Sequence, residues 1–272
     1  MNNAELYEKN NTLQKRDALQ CLQEYEKKIK WKNFDTIIDI GCGDGGVTTE
    51  VLKKFIPSNY KKVIGVDISE KMVQFANEHH GDKRTVFRVM DVENTLPKDF
   101  RETFDHAFSF YTLHWIRDQE RALSNIYELL TDGGDCLLIF LGHMPVFDIF
   151  RQLSRCSKWH PWLKNVDRFI SPYHHSQDPE KDVRRTMAKI GYRDIDVQCK
   201  RMLCTYKTPE ECKKAVAAVN PFKVPKELED EFLEDYMDIV VDMRFVDEVN
   251  NNINHSVHVS AGYTLIVAFA RK

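Results

Sequence analysis

Apolar and polar positions follow two alternating rhythms over the first half of the chain. Leu6, Leu13, Leu19, Leu22 and Ile29 recur near helical spacing and predict one helix over 4–30. Short β-rich runs follow: TIIDI at 36–40, KVIGVDIS at 62–69, TVFRVMDV at 85–92, FDHAFSFY at 104–111 and CLLIFL at 136–141. Between them lie helical stretches from Val47 to about Phe55, from Ser69 and Glu70 to about His80, and over 118–130, with a DGGD turn at 132–135. Strands alternating with helices of this length predict βαβ units, hence an α/β fold with a mostly parallel sheet covered on both faces.

After Gly142 the alternation stops. Residues 143–190 read as mostly helical and aromatic, and strand-like runs return at 193–206 and 262–270, separated by helical segments at 208–219 and 226–248. The pattern predicts a single domain, 1–272. Its core is about 30–142 plus 192–206 and 260–272, and a helical substrate cap is made of about 143–190 and 207–255.

Composition removes several classes. A formal net charge of -3 gives no basic field for nucleic acid. The sequence has no NPPY-like motif either, since AVNPF comes late and lacks the second proline and the tyrosine. CLLIFL and YTLIVAFA are far too short to span a bilayer, so no membrane insertion is expected. The polar N-terminus has neither an apolar h-region nor a transit pattern, which predicts a cytoplasmic chain. Seven cysteines without a CxxC pair suggest reduced thiols and no zinc ribbon. The adjacent pairs His79-His80 and His174-His175 carry no further ligand set in the sequence, and no metal is expected. Assembly is left open, a homodimer included.

Chemistry enters at the strand ends. Gly41, Gly43 and Gly46 follow the first strand and open a helix, the context in which a glycine turn lets a ligand approach the backbone. Asp67 ends the second strand, where an acid can accept from ribose hydroxyls, and Asp91 ends the third, where one can accept from an adenine amino group. Each acid alone reads as a cap or a solvated turn; three successive strand ends make that reading much weaker. The spacing also fits a dinucleotide loop. Asp39 and Asp44 decide against it, because carboxylates there repel a pyrophosphate and suit a ligand carrying an ammonium and a sulfonium.

DIGCGDG, GVDIS and MDVE resemble the signature of class I S-adenosylmethionine methyltransferases, over about residues 36–141. The resemblance implies a Rossmann-like sheet with its last strand antiparallel, an N-terminal helix and helical cap insertions. It implies S-adenosyl-L-methionine as cofactor, with S-adenosyl-L-homocysteine as product. Asp39, Gly41, Cys42 and Gly43 would then line the methionyl part, with Arg16, Met72, Ser109 and Phe110 completing the site. Asp67 would hold the ribose, Ile68 would lie against the adenine, and Asp91 and Val92 would meet the adenine edge.

A more specific likeness lies outside the glycine loop. Tyr7, Asn11 and Gln14 share one helical face, which alone reads as a solvated helix. His114 and Trp115 leave the fourth strand, where a Trp is usually core packing. Together with YxxxNxLQKRDA, FSFYTLHWIRDQERA, CLLIFLGHxPxFDIFRxLS and KWHPWLxxVDRFISPYH, these residues resemble carboxyl methyltransferases of small acids, and within them the insect juvenile hormone acid O-methyltransferases, along essentially the whole chain. That resemblance implies a sesquiterpenoid acid as the small-molecule partner, farnesoic acid or its epoxide. In plant members a helix Gln and this Trp clamp the carboxylate, which makes Gln14 and Trp115 the expected catalytic pair. No general base is expected, because a carboxylic acid is already ionised at neutral pH. Tyr7, Asn11 and His114 are expected beside the acid, and Phe150, Trp159, Phe169, Tyr173 and Val219 along its tail. Phe147, Ile149, Trp162, Ile170, Val216 and Phe222 are further tail candidates, about half of which are expected to be cap core. Weighed against this are a methyltransferase for another small acid or an amine, and a non-catalytic ligand-binding relative. An oxidoreductase is disfavoured by Asp39 and by the lack of a second nucleotide-binding half.

Overall fold

The computed structural model describes residues 4–251 and 254–272. Five parallel strands form one half of the sheet: β1 (Thr36–Ile40), β2 (Lys62–Asp67), β3 (Thr85–Val89), β4 (Phe104–Phe110) and β5 (Leu130–Leu141). The other half is β6 (Arg193–Tyr206), β7 (Val246–Asn251) and β8 (Asn254–Arg271). The order is β3-β2-β1-β4-β5-β8-β6, with β7 paired to the first part of β8. β8 runs antiparallel to β5, β6 and β7. This is the mostly parallel Rossmann-like sheet with an antiparallel last strand that the sequence led us to expect.

Alternating side chains feed two cores. Ile37, Phe108, Leu137 and Ile139 pack on one face with the cap, whereas Ile38, Ile40, Ala107, Leu138 and Phe140 pack on the other. A sheet buried on both faces needs both sets apolar, which is why β1 and β5 read as nearly continuous hydrophobic runs. The helices are α1 (Ala4–Asn10), α2 (Thr12–Tyr25), α3 (Gly46–Glu50), α4 (Glu70–His80), α5 (Gln119–Leu129), α6 (Pro145–Arg155), α7 (Pro179–Ile190), α8 (Pro209–Val219) and α9 (Glu229–Asp242). Local chemistry sets several starts: Asp118, Asp178 and Thr208 accept from the backbone N–H three residues on, and Pro179 and Pro209 occupy the first turn. Among the described residues, no helix is long and apolar enough to cross a membrane.

Five expectations are corrected. The helix expected over 4–30 breaks at Asn11, whose side chain turns away to Asp44, and ends at Tyr25. The one expected over 47–55 is a short helix followed by a 3₁₀ turn. Residues 246–248, expected in a helix from 226, begin strand β7, because pairing with β8 overrides local preference. The turn at 132–135 is absorbed into β5, and β8 begins at Asn254 rather than 262.

Candidate active site

The glycine loop leaves β1 with Gly41 at φ +73°, and a Cβ on that residue would sit 1.9 Å from the Thr112 hydroxyl oxygen. Only glycine fits there. Thr112 donates to the Gly41 carbonyl at 3.1 Å, locking the loop to the exit of β4. Gly43 also has positive φ, and the Tyr7 ring lies over it, 3.5 Å from where a Cβ would be.

Two buried carboxylates, Asp39 and Asp44, and the half-buried Asp67 gather around that point. Asp39 accepts from the Thr48 hydroxyl at 2.6 Å, while its other oxygen is buried without a partner. Burial pushes its carboxyl up to about 7. Asp44 accepts from Asn11 Nδ2 at 3.1 Å and from the Gly46 N–H at 3.1 Å. Asp67 accepts from the Gly43 N–H at 3.1 Å and the Ser69 N–H at 2.8 Å. Burial raises both Asp44 and Asp67, and the Tyr7 hydroxyl is pushed up first by burial and then by all three acids. The loop is therefore a strongly negative, partly dehydrated patch, the environment that suits a cationic ligand.

The remaining residues expected at the cofactor divide. Ile68 is 69% exposed on the rim beside Asp67, while Met72 and Cys42 are buried behind the loop. Asp91 accepts from the Glu93 N–H at 2.9 Å and Asn94 Nδ2 at 2.8 Å, capping its own turn, and Val92 is buried beside it. Ser109 spends its hydroxyl on the Ile40 carbonyl at 2.8 Å, and Phe110 stacks on Phe108 within the core. Arg16 reaches away from the loop, to Asp17, the Leu203 carbonyl and the Tyr263 hydroxyl.

Beyond Tyr7 lies a cavity of about 500 Å³, within the usual range for small-molecule sites. It brings together Tyr7, Gln14, His114, Trp115, Phe147, Ile149, Phe150, Val216 and Val219 from the sequence expectations. Lys9, Arg16, Lys207 and Glu211, all exposed, are its charged lining.

Three neutral N–H groups are available in this wall. Gln14 is buried, and its Oε1 has no partner. The His114 Nδ1 accepts the Leu141 N–H at 3.4 Å, which leaves the proton on Nε2. Burial pushes His114 down to about 3, so the ring is neutral. Trp115 is half-buried, tilted against His114 at 4.7 Å and edge-on to Phe147 at 6.2 Å. The Gln14 amide N–H, the His114 Nε2–H and the Trp115 indole N–H meet no acceptor among the described residues.

Several expected residues lie elsewhere. Asn11 serves Asp44 and does not line the cavity. Trp159 is fully buried in the cap, edge-on to Phe232, with its indole N–H on Asp235 at 2.7 Å. Phe169 packs on Phe222, which in turn backs Phe150. Tyr173 lies in the opposite core against Phe140, with its hydroxyl toward Gln119. Trp162 and Ile170 are likewise off the cavity wall.

The sequence did not single out the node beneath the cavity. Asp17 is wholly buried, accepts from the Tyr111 and Tyr263 hydroxyls, and is paired with Arg16 at 2.8 Å. It ties α2 to the end of β4 and to β8, and holds Tyr111 at φ +59°, three residues before His114. His143, Asp148 and His174 also form a cluster that the sequence did not foresee, with ligand-type atoms within 4.8 Å of one another. His174 Nδ1 accepts the Met144 N–H at 3.3 Å, so its Nε2 keeps the proton that it gives to Asp148 at 2.9 Å.

Residues 38–138 match the methyltransferase domain family. The chain is 56% identical to the juvenile hormone acid O-methyltransferase of Bombyx mori, with 100% of this chain and 98% of the relative aligned. It is 35% identical to the enzyme of the same name from Drosophila melanogaster, over 100% and 93% of the two chains. Among solved structures, the YcgJ protein of Bacillus subtilis aligns with a TM-score of 0.59 at 17% identity, over 93% of this chain and 98% of that one. Phosphoethanolamine N-methyltransferase 2 of Haemonchus contortus, in complex with S-adenosyl-L-methionine, aligns with a TM-score of 0.55 at 18% identity, over 93% and 52%. These two likenesses concern the fold.

Proposed function

The chain belongs to the juvenile hormone acid O-methyltransferase family, and from that premise we propose that it transfers a methyl group from S-adenosylmethionine to the carboxylate of a sesquiterpenoid acid, juvenile hormone acid or farnesoic acid, giving the methyl ester. The observation that carries the acceptor assignment is the wall itself. Neutral N–H donors without partners stand at one end of an apolar cavity, with no titratable base poised among them.

The loop fits the cofactor on its own chemistry. Asp39 keeps a buried oxygen with no partner, and three carboxylates converge where an ammonium and a sulfonium would be neutralised. Asp67 has accepting capacity left for ribose hydroxyls, since each carboxylate oxygen takes more than one hydrogen bond. Ile68 offers an apolar surface to the base. When bound, the cofactor supplies a methyl group on a positively charged sulfur, open to displacement.

The residues of the chain then have three tasks. Gln14, His114 and Trp115 hold and aim the acid's carboxylate, which at neutral pH carries its negative charge without help from a base. Leu13, Met144, Val146, Phe147 and Ile149 keep water from the reacting end and cover the start of the tail. Tyr7 stands over Gly43 between the two halves. His114 is a donor in this scheme and not a proton acceptor, because a ring pushed down to about 3 is a poor base.

The test is a transfer assay with labelled S-adenosylmethionine and three acceptors: farnesoic acid, a short-chain acid and a long-chain amine. Methyl ester from farnesoic acid alone is the expected result. Equal rates on the short acid remove the tail pocket, and transfer only to the amine removes the carboxylate assignment.

A further inference from the structure

The cavity has a second polar feature at the cap side, far from the donors that meet the carboxylate. Tyr236 lies on α9, lines the cavity and is only 4% exposed. Its hydroxyl has no hydrogen-bond partner among the described residues. The oxygen is not sealed in by packed protein and opens on the cavity, so it is available to a ligand.

Its neighbours cannot supply that partner. Phe150 faces the ring at 6.0 Å, and Phe232 lies one turn earlier on the same helix. The nearby polar groups are the Cys204 and Cys212 thiols, which are weak hydrogen-bonding groups. The Tyr206 hydroxyl, also on the wall, has the Cys204 thiol beside it. Tyr236 is thus a free hydroxyl in an otherwise apolar stretch.

Its position relative to the carboxylate end follows from α6. Phe147 touches Trp115, ring to ring at 6.2 Å. Phe150, one turn further along α6, touches Tyr236. A ligand held at Gln14 and Trp115 would run past Phe147 and Phe150 before it reached the Tyr236 hydroxyl. The polar group is therefore placed along the tail.

We propose that Tyr236 is a specificity-determining residue, its hydroxyl donating a hydrogen bond to an oxygen carried on the hydrocarbon tail, an epoxide or ether of the acceptor acid. The inference rests on the function proposed above and extends it to the tail. The bond would favour an oxygenated tail over a plain hydrocarbon one of the same length, and it would act on binding rather than on the chemical step.

Two measurements on wild type, Tyr236→Phe and Tyr206→Phe test it. The first is kcat/KM for methyl transfer to farnesoic acid and to its terminal epoxide. Wild type is expected to prefer the epoxide by about fivefold, the factor that one ordinary hydrogen bond gives. Tyr236→Phe should lose that preference through KM for the epoxide, leaving kcat and the farnesoic acid values in place, and Tyr206→Phe should keep it. The second is equilibrium binding of the two corresponding methyl esters, read by tryptophan fluorescence, which needs no turnover. A wild-type protein that binds both esters equally, or a Tyr236→Phe ratio equal to wild type, overturns the proposal. If no acid is methylated but the ester preference is present and vanishes in Tyr236→Phe, the substrate assignment falls and the tail subsite stands.

Discussion

Asp39→Asn separates what the glycine-loop carboxylates do for the cofactor from what they cost the fold. Asp39 is 1% exposed, and burial pushes its carboxyl from 3.8 to about 7. The sign follows from proton counting. Between about pH 4 and 7 the folded protein binds a proton at Asp39 that the unfolded chain has released, so this group's contribution makes stability fall as pH rises through that window. Above pH 7 the penalty is complete, with a ceiling of about 4 kcal/mol from roughly three pKa units at 1.36 kcal/mol each. Asparagine removes the ionisation while keeping an oxygen for Thr48, which donates to Asp39 at 2.6 Å. Its amide hydrogens replace an oxygen that is buried without a partner, and stranding them costs about 1–3 kcal/mol. The expected net is a gain of about 1–2 kcal/mol at pH 8, or roughly 2–8 °C in Tm, which vanishes or reverses at pH 5. Cofactor affinity should move the other way. Losing a charged partner for an ammonium is worth about 10- to 100-fold at pH 8. Wild-type affinity should also fall as pH drops below about 7, where Asp39 takes up its proton, and the variant should lack that dependence. Thermal unfolding from pH 4.5 to 8.5 and titration with S-adenosylmethionine read both effects. A stability difference that stays constant across pH, or a variant that binds the cofactor as tightly as wild type, refutes the reasoning.

Three further outcomes are expected. Trp115→Phe should fold normally, since Trp115 is half-buried and its ring packing is largely kept, yet lose about 10- to 100-fold in kcat/KM; full activity would demote the residue to packing. Asp67→Ala should lose most cofactor affinity, and an unchanged titration would remove the ribose assignment. His106 is buried between Asp135 at 2.7 Å and Asp35 at 3.0 Å, and the hydrogen bonds and charges of those two acids raise its pKa against the opposing effect of burial. Its contribution is complete below 6.5, the value for an unperturbed histidine, and is lost as pH rises through the higher folded value, while His106→Leu should cost about 3–5 kcal/mol by stranding two acids; chemical denaturation at pH 6 and 9 checks both.

The strand-end loops were legible because their determinants are local. Gly41, Gly43, Asp67 and Asp91 each sit at the end of a short apolar strand, and strand and turn are coded within ten residues. The acceptor half depends on long-range packing. Asp17 meets Tyr111 and Tyr263 across 94 and 246 residues, and no local pattern in QKRD or GYT announces that meeting. Phe150 and Trp159 are both aromatics in the cap, and both look equally fit for a tail pocket. Trp159 is withdrawn into the cap core because Asp235, 76 residues later, takes its indole N–H. Tyr236 and Tyr173 differ in the same way: which face of the sheet a tyrosine joins is fixed by topology, which composition does not encode. Strand β7 was missed because its pairing with β8, and not its own periodicity, makes it a strand.

The two halves divide charge in a way that bears on rate. Carboxylates surround the loop, whereas the wall proposed to meet the acid offers neutral donors. Arg16, a cation on that wall, is already paired with Asp17, and the Leu203 carbonyl and the Tyr263 hydroxyl accept from its two terminal nitrogens. A free guanidinium there would bind the ground-state carboxylate bidentately, and the bond would weaken as the attacking oxygen gave up its charge to the new ester. In the proposed scheme, donors such as Gln14, His114 and Trp115 would orient the oxygen without holding it back to the same degree. The buried cost of Asp17 is offset by its three partners, so the node that neutralises Arg16 also sets the end of β4 from which His114 and Trp115 extend. A substitution at Asp17 would free Arg16 from its ion pair and loosen Tyr111 together, so in the proposed scheme this buried carboxylate positions the acceptor wall without touching the substrate.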